Sequence, residues 1–362
     1  MPQNLHKQQH FRVLGLMSGT SLDGLDLCLV NFSLNDTWSF EIERAETIPY
    51  SESWLAKLRY QELSVEALED LDRTYGELLA EYCLEFMASH KIKQDSVDFI
   101  ASHGHTWHHQ PEQKISLQLG NGPELWQLTG IPVICDFRRA DVLIGGQGAP
   151  LVPIGDRDLF ANNDSCLNLG GFANISLDRA GQRIAFDIAP CNLPINYYCQ
   201  RLGLPYDDEG YIAATHNPNP QVLEQLNALS YYSQPAPKSL GIEWLQKEVL
   251  SICEASQANP ETLIATLSEH SAFQIGKSLN QYALKNCLIS GGGSNNQFII
   301  DSIGVYSNCQ LEIASEPLNS FKEALIFAYL GLLKHLGQNN VLASVTGAPQ
   351  DHSSGKHYPP KS

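Results

Sequence analysis

Positive charge is scarce in this chain: 23 Lys and Arg stand against 40 Asp and Glu, a formal net charge of −17 over 362 residues. That shortage excludes nucleic acid and anionic membrane as bulk partners, because both are held chiefly by Lys and Arg. It does not exclude a phosphate-bearing small molecule, which a few well-aimed donors hold. Long apolar runs are also lacking. The longest, Ala324 to Leu333, has about half of the roughly 20 residues needed to span a bilayer. The polar opening M-P-Q-N-L-H-K-Q-Q-H leaves no room for a secretory leader. Nine cysteines are present, at 28, 83, 135, 166, 191, 199, 253, 287 and 309, yet no C-x-x-C pair occurs. Most sit in apolar runs such as L-C-L at 27–29. A disulfide framework and a cysteine zinc site are therefore excluded, and buried, reduced thiols in a cytoplasmic protein are expected.

An apolar content of 43% and a charged content of 17% are those of an ordinary globular chain, and the length predicts two domains, each with its own core. The first notable stretch is V-L-G-L-M-S-G-T-S-L-D-G-L-D at 13–26. A short apolar strand, Phe11 to Met17, breaks into a turn of Ser18, Gly19, Thr20 and Ser21. Asp23 and Asp26 follow, and Leu25, Leu27, Leu29 and Phe32 alternate as a second strand. The turn is neither G-x-x-x-x-G-K-[ST] nor G-x-G-x-x-G. Taken alone it fits a phosphate-holding hairpin and a tight turn with polar tips equally well.

In order, the chain predicts strands Phe11–Met17, Leu25–Phe32 and Phe40–Ile48. A long helix follows from Ser64 to His90, whose apolar residues step by three or four. Strands Val97–Ser102 and Ile115–Leu119, a helix Pro123–Leu128 and a strand Ile131–Cys135 come next. The segment G-G-Q-G-A-P, Gly145 to Pro150, is the expected domain hinge. A second cycle starts with strands Cys166–Leu169, Ala173–Leu177 and Arg183–Asp187. Helices are expected at Asn192–Arg201, Pro220–Leu229, Ile242–Ala255 and Pro260–Lys285. A strand Cys287–Ser290 then runs into Gly291-Gly292-Gly293 and a helix from Asn295. The last helix, Ser320–Leu336, leads to a polar tail. This is a duplicated β-β-β-α-β unit, with a polar turn between the first two strands of each copy, at Ser18–Gly24 and Gly170–Asn174.

These blocks carry a resemblance. G-L-M-S-G-T-S-L-D-G-L-D, S-H-G-H-T-W-H-H-Q-P (102–111), L-Q-L-G-N-G (117–122), D-F-R-R-A-D (136–141), G-G-Q-G-A-P-L-V-P (145–153), N-L-G-G-F-A-N-I-S (168–176), P-K-S-L-G (237–241), S-G-G-G-S-N-N (290–296), K-E-A-L-I-F-A (322–328) and S-V-T-G-A (344–348) resemble the 1,6-anhydro-N-acetylmuramic acid kinase family. They occur in order over residues 13 to 348. The resemblance implies an α/β fold of two ribonuclease-H-like, actin-like ATPase domains with a nucleotide cleft between them. The expected boundaries are 1–145, completed by the tail at about 340–362, and 146–339. It implies an ATP- and Mg²⁺-dependent kinase that opens the 1,6-anhydro ring of a cell-wall amino sugar with water and phosphorylates O6, in peptidoglycan recycling. The expected partners are thus a small amino sugar and ATP, with no nucleic acid and no membrane, and a homodimer is left open.

The family's parts fall on particular residues. Gly19, Thr20, Ser21, Leu22, Asp23, Gly24, Leu25 and Asp26 are expected to line the phosphates, with Asp23 and Asp26 ordering Mg²⁺ directly or through water. Gly170, Gly171 and Asn174 form the second phosphate turn, and Gly291, Gly292 and Gly293 let the nucleotide approach the backbone. Asp187 is the expected base for the attacking water. The competing reading makes it a strand-end Asp capping the helix near Asn192. Arg138, Asp136 and Asp141 fit sugar recognition, an Arg fork for the lactyl carboxylate and acids for hydroxyls, or a structural Arg–Asp pair. His103 and Asn192 belong to sugar-site blocks, and Glu323 lines the cleft or sits on a helix surface. The H-x-H spacing of His103 and His105, with His108 and His109 beyond, has no partner Cys or acid for a zinc site. One departure stands out: where most of the family reads D-T-G-P-G-N, residues 187–192 read D-I-A-P-C-N. Cys191 lacks neighbours that would activate a thiol and is expected to pack. The lost hydroxyl and added Cβ atoms beside Asp187 leave two alternatives open: a kinase for a related amino sugar without an anhydro bond, and a nucleotide- and sugar-binding regulator without turnover.

Overall fold

The computed structural model describes residues 10–19 and 22–359. The first sheet holds β1 (His10–Ser18), β2 (Leu25–Leu34), β3 (Trp38–Ile48), β4 (Phe99–Gln110), β5 (Ile115–Leu119), β6 (Val133–Cys135) and, from the far end of the chain, β12 (Lys356–Tyr358). Its order is β12-β6-β4-β1-β2-β3, with β5 on β4. The meander β1-β2-β3 is antiparallel, and β4 runs parallel to β1 and β6 parallel to β4. The second sheet, β7 (Ser165–Leu169), β8 (Phe172–Arg179), β9 (Gln182–Pro190), β10 (Asn286–Ser290) and β11 (Gln310–Ile313), has the order β11-β10-β7-β8-β9. Again a three-stranded antiparallel meander meets strands parallel to its first member. Both sheets thus have the strand order 3-2-1-4-5 of the ribonuclease-H-like fold, and the duplication read from the sequence is present in the topology.

Burial explains the patterns. β1 lies between β2 and β4 and is covered on both faces, so Val13, Leu14, Leu16 and Met17 form a continuous apolar run instead of an alternation. The helix Val65–Ser89 covers one face. Ser64 caps it by accepting from the Ala67 N–H at 3.2 Å, and Leu71, Tyr75, Leu78, Leu79, Cys83 and Phe86 make its buried stripe. The core of the second unit joins Leu167, Leu169, Ile175, Phe186 and Ile188 of the sheet to Leu263, Ile264, Leu267 and Ile275 of the helix Pro260–Gln281. All nine cysteines are free and buried, as expected. Among the described residues, no helix is long and apolar enough to cross a membrane.

The compact units are Met1–Leu159 with Phe321–Ser362, and Phe160–Ser320. The junctions therefore differ from the expected 145/146 and 339/340. The Gly145–Pro150 segment is not a hinge, because it is tied down within the first unit. The Gly148 N–H donates to Asp141 Oδ2 at 2.6 Å, the Gln147 N–H to the Thr346 carbonyl at 2.8 Å, and Arg138 Nη1 to the Gly148 carbonyl at 2.8 Å. The chain leaves only after the helix Pro153–Leu159. At the other junction, the helix Leu318–His335 belongs to the first unit from Phe321 onward, where it packs on β1 and β4. A Cβ built at Gly15 would stand 2.2 Å from the Ala324 carbonyl oxygen, and one at Gly331 would stand 2.6 Å from the Ala101 Cβ. The polar tail is also not a free end, since β12 pairs antiparallel with β6.

The contact at Gly15 generates a stability prediction. Gly15→Ala forces the helix Leu318–His335 off β1, so urea unfolding should show a loss of roughly 1–3 kcal/mol, the scale of overpacking a core. A loss below about 0.5 kcal/mol, the range of neutral surface changes, contradicts the packing described.

Candidate functional site

Side-chain alternation builds the site of the second unit. Leu167, Leu169, Ala173, Ile175, Phe186 and Ile188 face the core, so Asn168, Asn174 and Asp187 project from the other face of the sheet. They form one row, with Asn168 opposite Asn174 and Asn174 opposite Asp187, beside a β-bulge at Ala173/Asn174. Asn174 is exposed and the other two are half-buried. Asp187 does not end its strand. β9 runs three residues further, to Pro190, and the helix Asn192–Arg201 begins after Cys191 without a side-chain cap. The capping alternative is therefore removed. Instead Asp187 is held at the sheet edge by the segment 238–240. Its N–H donates to the Lys238 carbonyl at 3.1 Å, its Oδ2 accepts the Leu240 N–H at 2.8 Å, and its carbonyl accepts the Tyr231 hydroxyl at 2.6 Å. Burial raises the carboxyl above the ordinary aspartate range, partly offset by the Leu240 hydrogen bond.

The glycine turns of this unit converge. Asn192 Nδ2 donates to the Leu169 carbonyl at 3.0 Å, and its N–H donates to the Gly170 carbonyl at 3.1 Å. Gly291 has φ +91°, and a Cβ there would lie 2.4 Å from Asn168 Oδ1. At Gly293 a Cβ would meet the Leu169 carbonyl oxygen at 2.8 Å and Asn192 Oδ1 at 3.0 Å. Gly292 faces open space. Gly170, Gly171, Asn192 and Gly291–Gly293 are thus one backbone-lined patch beside the Asn168–Asn174–Asp187 row. Asn168 was missed by the sequence reading. Its signal was a polar residue inside an otherwise apolar strand. Ile188, Ala189 and Cys191 are buried in the core, and burial pushes the Cys191 thiol up to about 12. The departure from the family motif therefore alters packing behind Asp187, not the face on which Asp187 projects.

In the first unit the β1–β2 turn leaves Ser18. Thr20 and Ser21 lie outside the described residues. The Leu22 N–H donates to the Gly19 carbonyl at 3.3 Å with Leu22 at φ 63°. A Cβ at Gly24 would meet the Ile48 carbonyl oxygen at 2.6 Å. Beneath the turn runs a buried hydrogen-bond chain. Leu58 offers only a carbonyl oxygen, so His105 Nε2 donates to it at 3.3 Å and Nδ1 accepts from Ser18 at 2.9 Å. Ser18 in turn accepts from Tyr50 at 2.8 Å, and Tyr50 lies 2.7 Å from the Tyr75 hydroxyl. Asp23 is exposed at the turn, and Leu25 starts β2 in the core. Asp26 Oδ1 accepts from the Thr47 hydroxyl at 2.6 Å. Burial raises its carboxyl, the Thr47 bond opposes this, and the Asp23 charge adds to it. Among the described residues no three His, Cys, Asp or Glu side chains converge as a metal cage. Mg²⁺ needs none, because it commonly binds one or two carboxylates together with substrate phosphate and water. An exposed Asp23 next to a half-buried Asp26 fits that donor set.

Arg138 and His103 meet directly. Arg138 Nε donates to His103 Nε2 at 2.9 Å, so that nitrogen is unprotonated and the ring proton sits on Nδ1, 2.9 Å from the Gly104 carbonyl. Burial first, then the Arg138 charge, holds His103 well below the usual histidine range. Burial also lowers Arg138, to about 10, while Glu323 opposes the shift. Glu323 keeps solvent access. Its carboxyl is raised by the protein crowded around it, against the pull of Arg138 and with a push from Asp26. Asp23, Asp26, Glu323, Arg138 and His103 thus share one neighbourhood. Lys322, beside Glu323, pairs instead with Asp156 at 2.8 Å in a buried salt bridge.

Two expected sugar ligands stand apart from this group. Asp141 is fully buried. Its Oδ2 accepts the Gly148 N–H, and its Oδ1 accepts the Thr346 hydroxyl at 2.9 Å. With both oxygens engaged and no exposed surface, Asp141 fixes the G-G-Q-G loop. Asp136, at φ 56°, is oriented by its N–H bond to Asn121 Oδ1 at 3.1 Å. Burial raises its carboxyl, opposed first by Arg139 and then by Lys356, and Arg138 is not among the charges it senses.

The His103 geometry is directly measurable. Long-range ¹⁵N NMR should show a neutral ring protonated at Nδ1 throughout the interval of about pH 5 to 8 in which an ordinary histidine titrates. An imidazolium signal in that interval contradicts the arrangement.

The family model for anhydro-N-acetylmuramic acid kinase matches residues 11–360. An anhydro-N-acetylmuramic acid kinase of Chromobacterium violaceum is 34% identical over 367 residues, covering 96% of this chain and 98% of its own length. The one from Haemophilus influenzae is 33% identical over 384 residues, covering 98% of each chain. That of Coxiella burnetii is 31% identical over 368 residues, covering 96% and 97%. The chain belongs to the anhydro-N-acetylmuramic acid kinase family.

Proposed function

From that membership we infer that the protein opens the 1,6-anhydro ring of 1,6-anhydro-N-acetylmuramic acid with water and phosphorylates the released O6. The products are N-acetylmuramic acid 6-phosphate and ADP, a step of cell-wall sugar recycling. The observation that carries this reading is Asp187. Its carboxylate is half-buried, projects from the polar face of its sheet and is aimed by the Leu240 N–H. It takes a proton from the water that attacks the anomeric carbon, and the C1–O6 bond breaks as O6 becomes free to accept phosphate. Asn168, Asn174 and Asn192 offer amides to sugar or phosphate oxygens. Arg138, oriented by His103 and Gly148, offers the N–H groups those contacts leave over to the lactyl carboxylate. Asp136 and Asp141 act behind Arg138 by fixing its backbone and the loop it holds, and Glu323 balances its charge.

Bound ATP supplies the γ-phosphoryl group and Mg²⁺ neutralises developing charge. On the protein's side, Gly19, Thr20, Ser21, Leu22 and Gly24 would line the phosphates in the first unit, and Asp23 and Asp26 would hold Mg²⁺. In the second unit Gly170, Gly171 and Gly291–Gly293 supply backbone without side chains in the way. The nine buried thiols support a cytoplasmic location.

The test is a reaction with purified protein, Mg²⁺-ATP and either the anhydro sugar or its ring-opened form. ADP and a 6-phosphosugar from the anhydro sugar are expected. Product from the ring-opened sugar alone overturns the hydrolytic step, and binding of both ligands without ADP supports a regulator instead. Asp187→Asn should cut kcat by roughly 10²–10⁴-fold, the contribution of a general base. The rate should fall as pH drops through the Asp187 pKa, above the ordinary aspartate range. The stability sign is opposite. Folding favours the protonated form of a carboxyl whose pKa it raises, and that contribution is lost as pH rises through the raised value. Ionised Asp187 thus costs stability at neutral pH, and Asp187→Asn should melt no lower than wild type. Retained turnover overturns the assignment of the base.

A further inference from the structure

The Arg138 side chain is held by His103 and by the Gly148 carbonyl. Its backbone is held from the far end of the chain. β12 pairs with β6 through Lys356 opposite Cys135, His357 opposite Ile134 and Tyr358 opposite Val133. Two residues further along, that antiparallel register brings Ser354 opposite Phe137. There a side chain continues the ladder: Ser354 Oγ donates to the Phe137 carbonyl at 2.5 Å, across 217 positions of sequence. Ser354 has no exposed surface and Asn340 is equally buried. The Ser354 N–H donates to Asn340 Oδ1 at 2.7 Å, and Asn340 Nδ2 donates to the Ser354 and Leu330 carbonyls, each at 3.0 Å. The tail is thereby pinned to the helix Leu318–His335. The same helix supplies Phe327, whose ring centre lies 5.7 Å from that of Phe137, 4.5 Å from that of His103 and 6.0 Å from Arg138 Cζ.

A peptide group is planar, so a bond that fixes the Phe137 carbonyl also fixes the Arg138 N–H and the direction in which Cα carries the side chain. We propose that Ser354, aimed by Asn340, is a positioning residue for Arg138 and sets the affinity for the carboxylate of the sugar. The tail of the chain thus takes part in substrate selection. This rests on the reading that Arg138 receives the lactyl carboxylate. With no exposed surface, Ser354 touches no ligand and acts only through the peptide before Arg138. Without the hydroxyl, the Phe137 carbonyl is left buried and unsatisfied, and the peptide tilts toward another donor. A tilt there swings a guanidinium several bonds away, and a fork-like guanidinium–carboxylate contact depends on direction as well as distance.

The full chain, saturated with a non-hydrolysable ATP analogue, is titrated by calorimetry with 1,6-anhydro-N-acetylmuramic acid and with 1,6-anhydro-N-acetylglucosamine, which lacks the lactyl carboxylate. Wild type is compared with Ser354→Ala, Arg138→Ala and the double variant. Ser354→Ala should weaken binding of the carboxylate-bearing sugar by about three- to tenfold and leave the other sugar unchanged. On the Arg138→Ala background it should add nothing, because the two residues act through one contact. Asp351→Ala, which removes a different bond of the tail, the one from the Ala343 N–H at 2.8 Å, should bind both sugars as wild type does. Equal weakening of both sugars, the same weakening by Asp351→Ala, or full weakening on the Arg138→Ala background marks a general loosening and overturns the proposal. If Ser354→Ala does not fold, Ser354→Cys, which keeps the shape and offers only a weak donor, takes its place with the same expectations. If wild type does not bind the carboxylate sugar, or Arg138→Ala binds it as wild type does, the reading of Arg138 falls and the proposal with it. If Arg138→Ala weakens that binding and Ser354→Ala does not, the reading of Arg138 stands and the proposal alone falls.

Discussion

A β-strand sends successive side chains to opposite faces, and the polar row of the second unit depends on that constraint. Phe186 and Ile188 are fixed in the core, so Asp187 cannot be, and its carboxylate must look out with Asn174 and Asn168 beside it. The edge position of β9 adds the rest. A central strand would spend its backbone groups on two neighbours. β9 has one neighbour, which leaves the Asp187 N–H free for Lys238 and brings the Leu240 N–H against the carboxylate. A carboxylate aimed by backbone is aimed by the fold itself.

The same economy appears in how the chain uses its few cations. Arg138 is oriented by a neutral histidine and a carbonyl, not by a carboxylate. Its charge therefore stays available to an anionic ligand, while Glu323 senses it without quenching it in a close ion pair. Lys322 is spent structurally on Asp156, a buried pair whose partners are each costly to remove alone. The turns proposed for the phosphates carry glycines and backbone in place of lysine, a way for so acidic a chain to hold a polyanion.

Much of this was legible in the sequence. Both meanders, the long helix starting at Ser64 and the glycine turns follow from alternation, helical spacing and turn residues, whereas Asp187 was singled out by the family resemblance. What escaped did so for physical reasons. The histidine-rich end of β4 has no apolar alternation, because its partner β5 and buried hydrogen bonds satisfy polar side chains there. β12 is a three-residue strand defined only by pairing with β6, a contact across more than half the chain. Gly145–Pro150 has the composition of a hinge but is anchored by Asp141 and Thr346, which are distant in sequence from one another. Asp141 was read as a sugar ligand because a carboxylate near an arginine looks alike whether it faces a ligand or a buried loop. Only its complete burial separates the two.

The altered motif D-I-A-P-C-N acquires a narrower meaning from its burial. Ile188, Ala189 and Cys191 fill core volume that a threonine and two glycines would leave, and a hydroxyl in that place would need a buried partner. Larger apolar side chains behind an edge strand make it stiffer and hold the carboxylate in front of it in one position. On the polar face of the same sheet Asn168 and Asn174 are untouched by the change, whereas the Cys191 thiol lies 3.7 Å from Asn192 Oδ1. The substitutions therefore act first on the packing behind Asp187 and on the side chain of Asn192.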